Sequence, residues 1–370
     1  MAEETEKRKA DHIRICLSEN AQARDVATGF GDVYLIHRAL PEIDKGSVDL
    51  STTVFGHRFA APVIVGAMTG GTAEATRINA AIAEVVEALG LGMGVGSQRA
   101  AIENARLEQT FAIARKKAPT AFLIANIGGV QLVHGYGARE VEKAIEIIDA
   151  DAVAIHLNPL QEAVQPEGQT NFKGVLGKIY EIASVVDVPV IVKETGSGIA
   201  AEEAQALEAA GVSGIDVSGA GGTSFAAVEY YRAKGKADNA QRLLGEAFWD
   251  WGIPTVASLV ETAQTVRVPV IASGGVRCGV DVAKALALGA SLASISSPVL
   301  QAAVKGSKDT NVLLSVLIEE LRNAMFLVGA NTVEQLAKVP VVVAGKTAEW
   351  LKVRGFNIEK YARRGVVTKA

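Results

Sequence analysis

The stretch AVAIHLNPLQE, residues 152–162, leaves an apolar run and presents His156, Asn158, Gln161 and Glu162 within seven positions. Lone polar side chains at strand ends often do no more than satisfy buried backbone groups. That role could absorb two of these side chains, not all four. Strand alternation sends Val153, Ile155 and Leu157 to one face and Ala154, His156 and Asn158 to the other, with Gln161 and Glu162 on the loop beyond. PVIVKETGSG, 189–198, repeats the device with Ile191, Lys193 and Thr195 on one face. A buried ammonium costs several kcal/mol unless an anion meets it. Lys193 therefore calls for Asp216 on the next apolar run or for an anionic ligand. SGAGGTS (218–224) offers Ser218, Thr223 and free N–H groups, and SGGVRCG (273–279) offers Gly274, Gly275 and Arg277. Glycine-rich turns of this kind suit an anion.

These residues sit at the ends of regularly spaced strands. Short β-branched runs, each followed by a turn and an amphipathic helix, occur at 61–67, 91–96, 121–128, 152–158, 189–195, 214–219, 269–275 and 292–297. In the first helix Ile78, Ile82, Val85 and Leu89 keep core spacing before Gly90. Eight such units over roughly 250 residues predict an α/β fold, a TIM (β/α)8 barrel. A doubly wound sheet is the alternative, but no GxGxxG turn follows the first strand. The barrel is expected over 61–330, with an N-terminal extension at 1–60 and a C-terminal tail at 331–370. An insertion after strand six, 223–254, has the position of a lid, and Trp249 and Trp251 are expected to anchor it.

In this fold the strand C-termini make one catalytic rim, and the loops after strands seven and eight commonly bind phosphate. Here those loops are SGGVRCG and SSP (296–298). AMTGG (67–71) and ANIGG (125–129) carry small residues that leave room for a flat ring over the barrel mouth. Arg99 in GSQR, with Arg8 and Lys9 in RKADHI, could meet a second phosphate.

Composition excludes several classes of partner. Lys and Arg total 37 against 41 Asp and Glu, for a net charge of -4, so no basic footprint for nucleic acid or a membrane surface is present. Cys16 and Cys278 stand far apart without metal-ligand spacing, which points to inert thiols and a reducing compartment. No uncharged apolar run approaches the ~18 residues of a membrane span. A cytoplasmic protein acting on small molecules is expected.

Taken in order, RKADHI, AMTGG, GSQR, ANIG, HLNPLQE, VKETGSG, SGAGGTS and GGVR closely resemble the type 2 isopentenyl diphosphate isomerases, which use FMN. The resemblance runs from about Arg8 to the helix near Gly329. It implies interconversion of isopentenyl and dimethylallyl diphosphate with Mg2+ and reduced flavin, NADPH as the usual reductant, and a homo-oligomer, tetrameric or larger. It also implies that Ala67, Met68, Thr69, Ser97, Asn126, Lys193, Ser218 and Thr223 hold the flavin ring and ribityl chain, and Gly275, Val276, Arg277, Ser296 and Ser297 its phosphate. Arg8, Lys9, Ser97, Gln98, Arg99, His156 and Asn158 would bind the substrate diphosphate. Gln161 would lie near the reacting carbons, with His156 and Asn158 sharing in catalysis, and Glu162 would hold Mg2+. This chain departs from the pattern at Phe225, where members often carry Trp, and at Ser296 and Ser297, where small apolar residues are common.

An FMN-dependent 2-hydroxy acid oxidoreductase is the rival reading on the same barrel. Its usual histidine base after strand seven is missing, because His156 is the last histidine in the chain.

Overall fold

In the computed structural model, which describes residues 2–235 and 239–365, the expected runs close into an eight-stranded parallel barrel. The strands are β1 (Val63–Val65), β2 (Gly92–Gly94), β3 (Phe122–Gly128), β4 (Ala152–His156), β5 (Val190–Lys193), β6 (Gly214–Asp216), β7 (Val270–Ala272) and β8 (Leu292–Ile295). They neighbour one another in chain order, and Ala293, Ser294 and Ile295 of β8 close the ring against Val63, Ile64 and Val65 of β1.

Period-two patterning separates two cores. Val153, Ile155, Val192 and Ile215 face the outer helices, whereas Ile64, Phe122, Ile124, Ala152, Ala154, Ile191, Ile271 and Leu292 fill the barrel. Between β1 and β2 runs the helix Ala73–Leu89, capped where the Thr72 side chain accepts from Ala75 N and ended by Gly90 at φ 63°. A hairpin of Thr52–Val54 and His57–Phe59 plugs the N-terminal end of the barrel, where Phe55 and Phe59 pack on Phe122 at ring distances of 6.0 and 5.3 Å.

The segments flanking the barrel are joined to it and to each other. Val33–Leu35 pairs antiparallel with Val341–Val343, so the two ends of the chain share one ribbon. Behind that ribbon, Trp350 Nε1 and Arg354 Nη2 donate to the buried Glu261 carboxylate at 2.8 and 3.0 Å, fixing the helix Gly345–Val353 to the helix Thr255–Thr265.

The insertion after β6 forms the helices Phe225–Gly235 and Asn239–Ala247, which pack on each other, and the first of them packs on the N-terminal helix Ala2–Ser18. It is a wall pinned in place: His12 Nε2 lies 2.9 Å from Glu229 Oε1, and Arg232 bridges Glu229 and Glu167, each at 2.5 Å. Trp249 anchors it as expected, 3% exposed and edge-on to Tyr230 and Tyr231. Trp251 does not: it is 63% exposed, its ring edge-on to Phe248 at the surface. Residues 236–238 of the insertion and 366–370 of the tail lie outside the described residues. Among the described residues no helix is long and apolar enough to cross a membrane.

Candidate active site

The strand C-termini open into one cavity, walled by the N-terminal helix and by Phe225. Ala67, Met68 and Thr69 enter it after β1, Ser97 and Arg99 after β2, and Asn126 from β3. His156, Asn158, Gln161 and Glu162 follow from β4, Lys193 from β5, and Ser218 and Thr223 after β6. Gly275, Val276 and Arg277 come after β7, Ser296 and Ser297 after β8, and Arg8 and Lys9 reach in from the N-terminal helix.

Gln98 is the exception among the residues named from sequence. It is fully buried, its Nε2 donates to Ala144 O at 2.7 Å, and its Oε1 accepts from Asn126 N at 2.9 Å. That amide ties β3 to an outer helix and does not face the cavity. Phe225 lines the cavity and meets His12 edge-on at 5.9 Å.

The Lys193 ammonium donates to Glu194 O at 2.5 Å, and no ion pair links it to Asp216 among the described residues. Asp216 takes the Ser273 hydroxyl instead. Burial raises the Asp216 carboxyl above its ordinary range, with the Lys193 charge opposing. Lys193 thus keeps donors for a ligand in the cavity. Ser218 stands at φ 37°, a left-handed value rare for a side chain with a Cβ, and its carbonyl accepts from Gly198 N at 3.0 Å. Thr69 Oγ1, buried and lining the cavity, has no hydrogen-bond partner. An orphaned hydroxyl, an ammonium with donors to spare and the β7 glycine turn together fit a polar, anionic cofactor such as FMN.

Electrostatics on the β2 to β4 side favour a second anion. Burial pushes the His156 ring down to about 3, reinforced by the charges of Lys193, Lys9 and Arg8. Burial likewise pushes Lys9 down to about 7, with Arg8 adding to the effect and Glu103 opposing it. Lys9 Nζ donates to Ser97 O at 2.6 Å, and Arg99 Nε donates to Glu103 Oε1 at 2.8 Å. Cations gathered around an uncharged imidazole leave a field that only an anion relieves.

Glu162 is 7% exposed and firmly oriented. Its Oε1 accepts from Asn158 Nδ2 at 2.9 Å, and its Oε2 accepts from Gln165 Nε2 and Gln169 N, both at 2.7 Å. Asn158 Oδ1 is buried without a partner. These are hard oxygen donors of the type Mg2+ takes, but among the described residues no group of three or more His, Cys, Asp or Glu could hold a metal. A cation here would draw the rest of its shell from ligand oxygens and water.

Three cavity or rim residues escape a reading from sequence. Gln131 lines the cavity, and its Nε2 donates to Gln169 Oε1 at 3.1 Å, linking it to the Glu162 loop. Its place just beyond ANIGG was the available signal. His12 lies within RKADHI, while Gln22 lies in no motif and reaches the rim only through the fold.

Comparison with known proteins agrees with this geometry. The profile of the FMN-dependent dehydrogenase family matches residues 1–124 and 161–342. Solved structures of a lactate oxidase from Pediococcus acidilactici (TM-score 0.65, 20% identity, 93% of each chain) and of a mandelate oxidase with an FMN adduct (TM-score 0.59, 22% identity, 86% of this chain and 90% of that one) share the fold. Barrel, cavity and profile define an FMN-dependent flavoprotein. Among curated relatives, the isopentenyl-diphosphate delta-isomerase of Methanosarcina barkeri is 51% identical over 99% of both chains, and that of Methanothermobacter thermautotrophicus is 50% identical over 96% of this chain and 99% of its own. The chain belongs to the type 2, FMN-dependent isopentenyl-diphosphate delta-isomerases.

Proposed function

We propose that this chain interconverts isopentenyl and dimethylallyl diphosphate with FMN in its reduced form and Mg2+, as a step of isoprenoid biosynthesis. The supporting observation is that one cavity carries two sets of groups suited to phosphate on opposite arcs of the barrel, the second combining cations with a carboxylate that can bridge to phosphate through a divalent cation. Gly275, Val276, Arg277, Ser296 and Ser297 follow β7 and β8, whereas Arg99, His156 and Glu162 follow β2 and β4, with Arg8 and Lys9 added from the N-terminal helix. A flavin with a single phosphate needs only the first set.

In this reading Ala67, Met68, Thr69, Ser97, Asn126, Lys193, Ser218 and Thr223 hold the flavin ring and ribityl chain. Residues 61–330 form the flavin barrel, 1–60 lend it substrate-binding groups, and of the tail at 331–370 the described part, to residue 365, completes the outer packing. The diphosphate brings about three negative charges, which call for several donors and a hard cation. Arg8, Lys9, Ser97 and Arg99 supply the donors, while His156 and Asn158, whose N–H groups are taken by Asn126, Gln161 and Glu162, border the diphosphate with acceptor atoms that a protonated phosphate oxygen or a metal-bound water can meet. Glu162 supplies an oxygen ligand for Mg2+. Gln161, whose Oε1 accepts from Asn158 Nδ2 at 3.1 Å, is held beside the diphosphate groups and faces the reacting carbons. Moving the double bond requires a proton added at one carbon and removed from another. Reduced FMN supplies an electron-rich ring that can take part in that proton exchange. The walls of Phe225 and the N-terminal helix keep the reacting carbons from bulk water. The reading further takes NADPH as the reductant, the cytoplasm as the location and a homo-oligomer, tetrameric or larger, as the working form.

The test uses enzyme reduced anaerobically with dithionite and given Mg2+ and isopentenyl diphosphate in D2O. Dimethylallyl diphosphate should appear carrying deuterium, over many turnovers, while the reduced-flavin spectrum persists. Stoichiometric flavin oxidation, or turnover of a 2-hydroxy acid by the oxidised enzyme with no isomerisation by the reduced one, would overturn it.

A further inference from the structure

Gln22 belongs to no motif, yet it lies where three backbone segments stack at the outer edge of the β7 side of the cavity. Ala23 N donates to Gly222 O and Ser224 N to Ala21 O, each at 2.8 Å, so the chain after the N-terminal helix is laid along the SGAGGTS loop. That loop lies in turn against the SGGVRCG turn. A Cβ on Gly222 would stand 2.5 Å from Gly275 N, and one on Gly275 would stand 2.4 Å from Thr28 Cγ2. The stack leaves no space for a side chain on Gly222 or Gly275, and Gln22 reaches around them. Its Nε2 donates to Thr223 Oγ1 at 3.2 Å, and its Oε1 accepts from Arg277 Nη2. Its main-chain carbonyl is fixed by Trp249 Nε1 at 2.9 Å. Among the described residues no other side chain hydrogen-bonds the Arg277 guanidinium; Asp281 takes only the Arg277 backbone N–H, at 3.1 Å.

We propose that Gln22 is a positioning residue for the cofactor phosphate, anchored on Thr223 of the neighbouring loop and holding Arg277 in place at the β7 turn from outside the cavity. A carboxamide suits this task because it accepts from a guanidinium and donates to a hydroxyl at once without neutralising the cation. A carboxylate there would pair with Arg277 and compete with the phosphate for it. Alanine would leave the guanidinium free to wander, whereas Thr223 stays held by the backbone bonds of its loop, and freedom lost on binding weakens the ligand. The site acquires this residue from a segment some two hundred and more positions away in sequence, at separations of 201 and 255 residues.

This inference rests on the FMN reading of the cavity, and riboflavin, which lacks the phosphate, separates the two. Affinities of the full-length wild type, Gln22→Ala and Gln22→Glu for FMN and for riboflavin are measured by flavin fluorescence titration. The preference for FMN over riboflavin should fall about tenfold in Gln22→Ala and further in Gln22→Glu, with riboflavin affinity kept, since a hydrogen bond to a charged group is worth about that factor. Retained riboflavin binding also shows that the variants fold, and Gln22→Glu preserves side-chain volume. An unchanged preference in both variants, or equal loss of both flavins, would overturn the positioning role. Wild type that binds neither flavin would instead remove the FMN reading itself.

Discussion

His156 Nδ1 lies 2.8 Å from Asn126 Oδ1, and the Asn126 amide nitrogen is already spent on Val95 O at 3.0 Å. The amide is therefore oriented with its oxygen toward the ring, and the imidazole carries its proton on Nδ1. Nε2 is left as the atom whose protonation decides what the ring can do. With burial and three nearby cations pushing the ring down to about 3, His156 is neutral in the ligand-free cavity.

Replacing that amide by a carboxylate should reverse the balance. In Asn126→Asp an anion within hydrogen-bond reach of Nδ1 favours the imidazolium, and the ring pKa should rise by at least about one unit. Nitrogen-resolved NMR titration of His156 checks this. A ring that titrates identically in both proteins would show that Asn126 does not govern its charge.

Lys9 should make diphosphate binding pH-dependent. Its ammonium is lowered to about 7, so above that pH the ligand-free enzyme holds it largely neutral. A bound diphosphate stabilises the charged form and raises the pKa, so binding at pH 8 should take up close to one proton. At pH 6 Lys9 is already charged and its share of the uptake should vanish. Calorimetry of diphosphate binding in buffers of different ionisation enthalpy measures the uptake, and Lys9→Arg should abolish the pH 8 component because arginine stays protonated.

Glu162→Gln should leave FMN affinity within about twofold and raise the Mg2+ needed for half-maximal turnover by roughly a hundredfold or more, because a neutral amide is a poorer ligand for a hard cation. Gln165 and Gln169 N would still orient the side chain through its remaining oxygen, so the fold should persist. Mg2+ titration of the initial rate decides it. An unaltered midpoint would take Glu162 out of the metal site.

The barrel strands were legible because their signals are local. Alternating β-branched runs and helices stopped by residues such as Gly90 are written within a few positions of one another, and strand order then assigns every loop to one rim. Side-chain direction is a different matter. Gln98 stands inside a polar motif, but its amide turns to Ala144 O and Asn126 N, and nothing in GSQR says so. Trp249 and Trp251 are two positions apart and read alike, yet Arg24 stacks on the first, 3.5 Å above its ring, while the second faces solvent. Gln22 and Glu229 act through partners hundreds of residues distant, a relation that only the closed fold creates.

The ribbon that joins Val33–Leu35 to Val341–Val343 also bears on how the protein is made. A ribosome releases the chain from its N-terminus, so the strand at 33–35 waits without its pair until almost the whole polypeptide has emerged. Such long-range closure is slow to form. Chain termination short of Val341 would leave that strand with an open edge prone to pairing with neighbouring nascent chains.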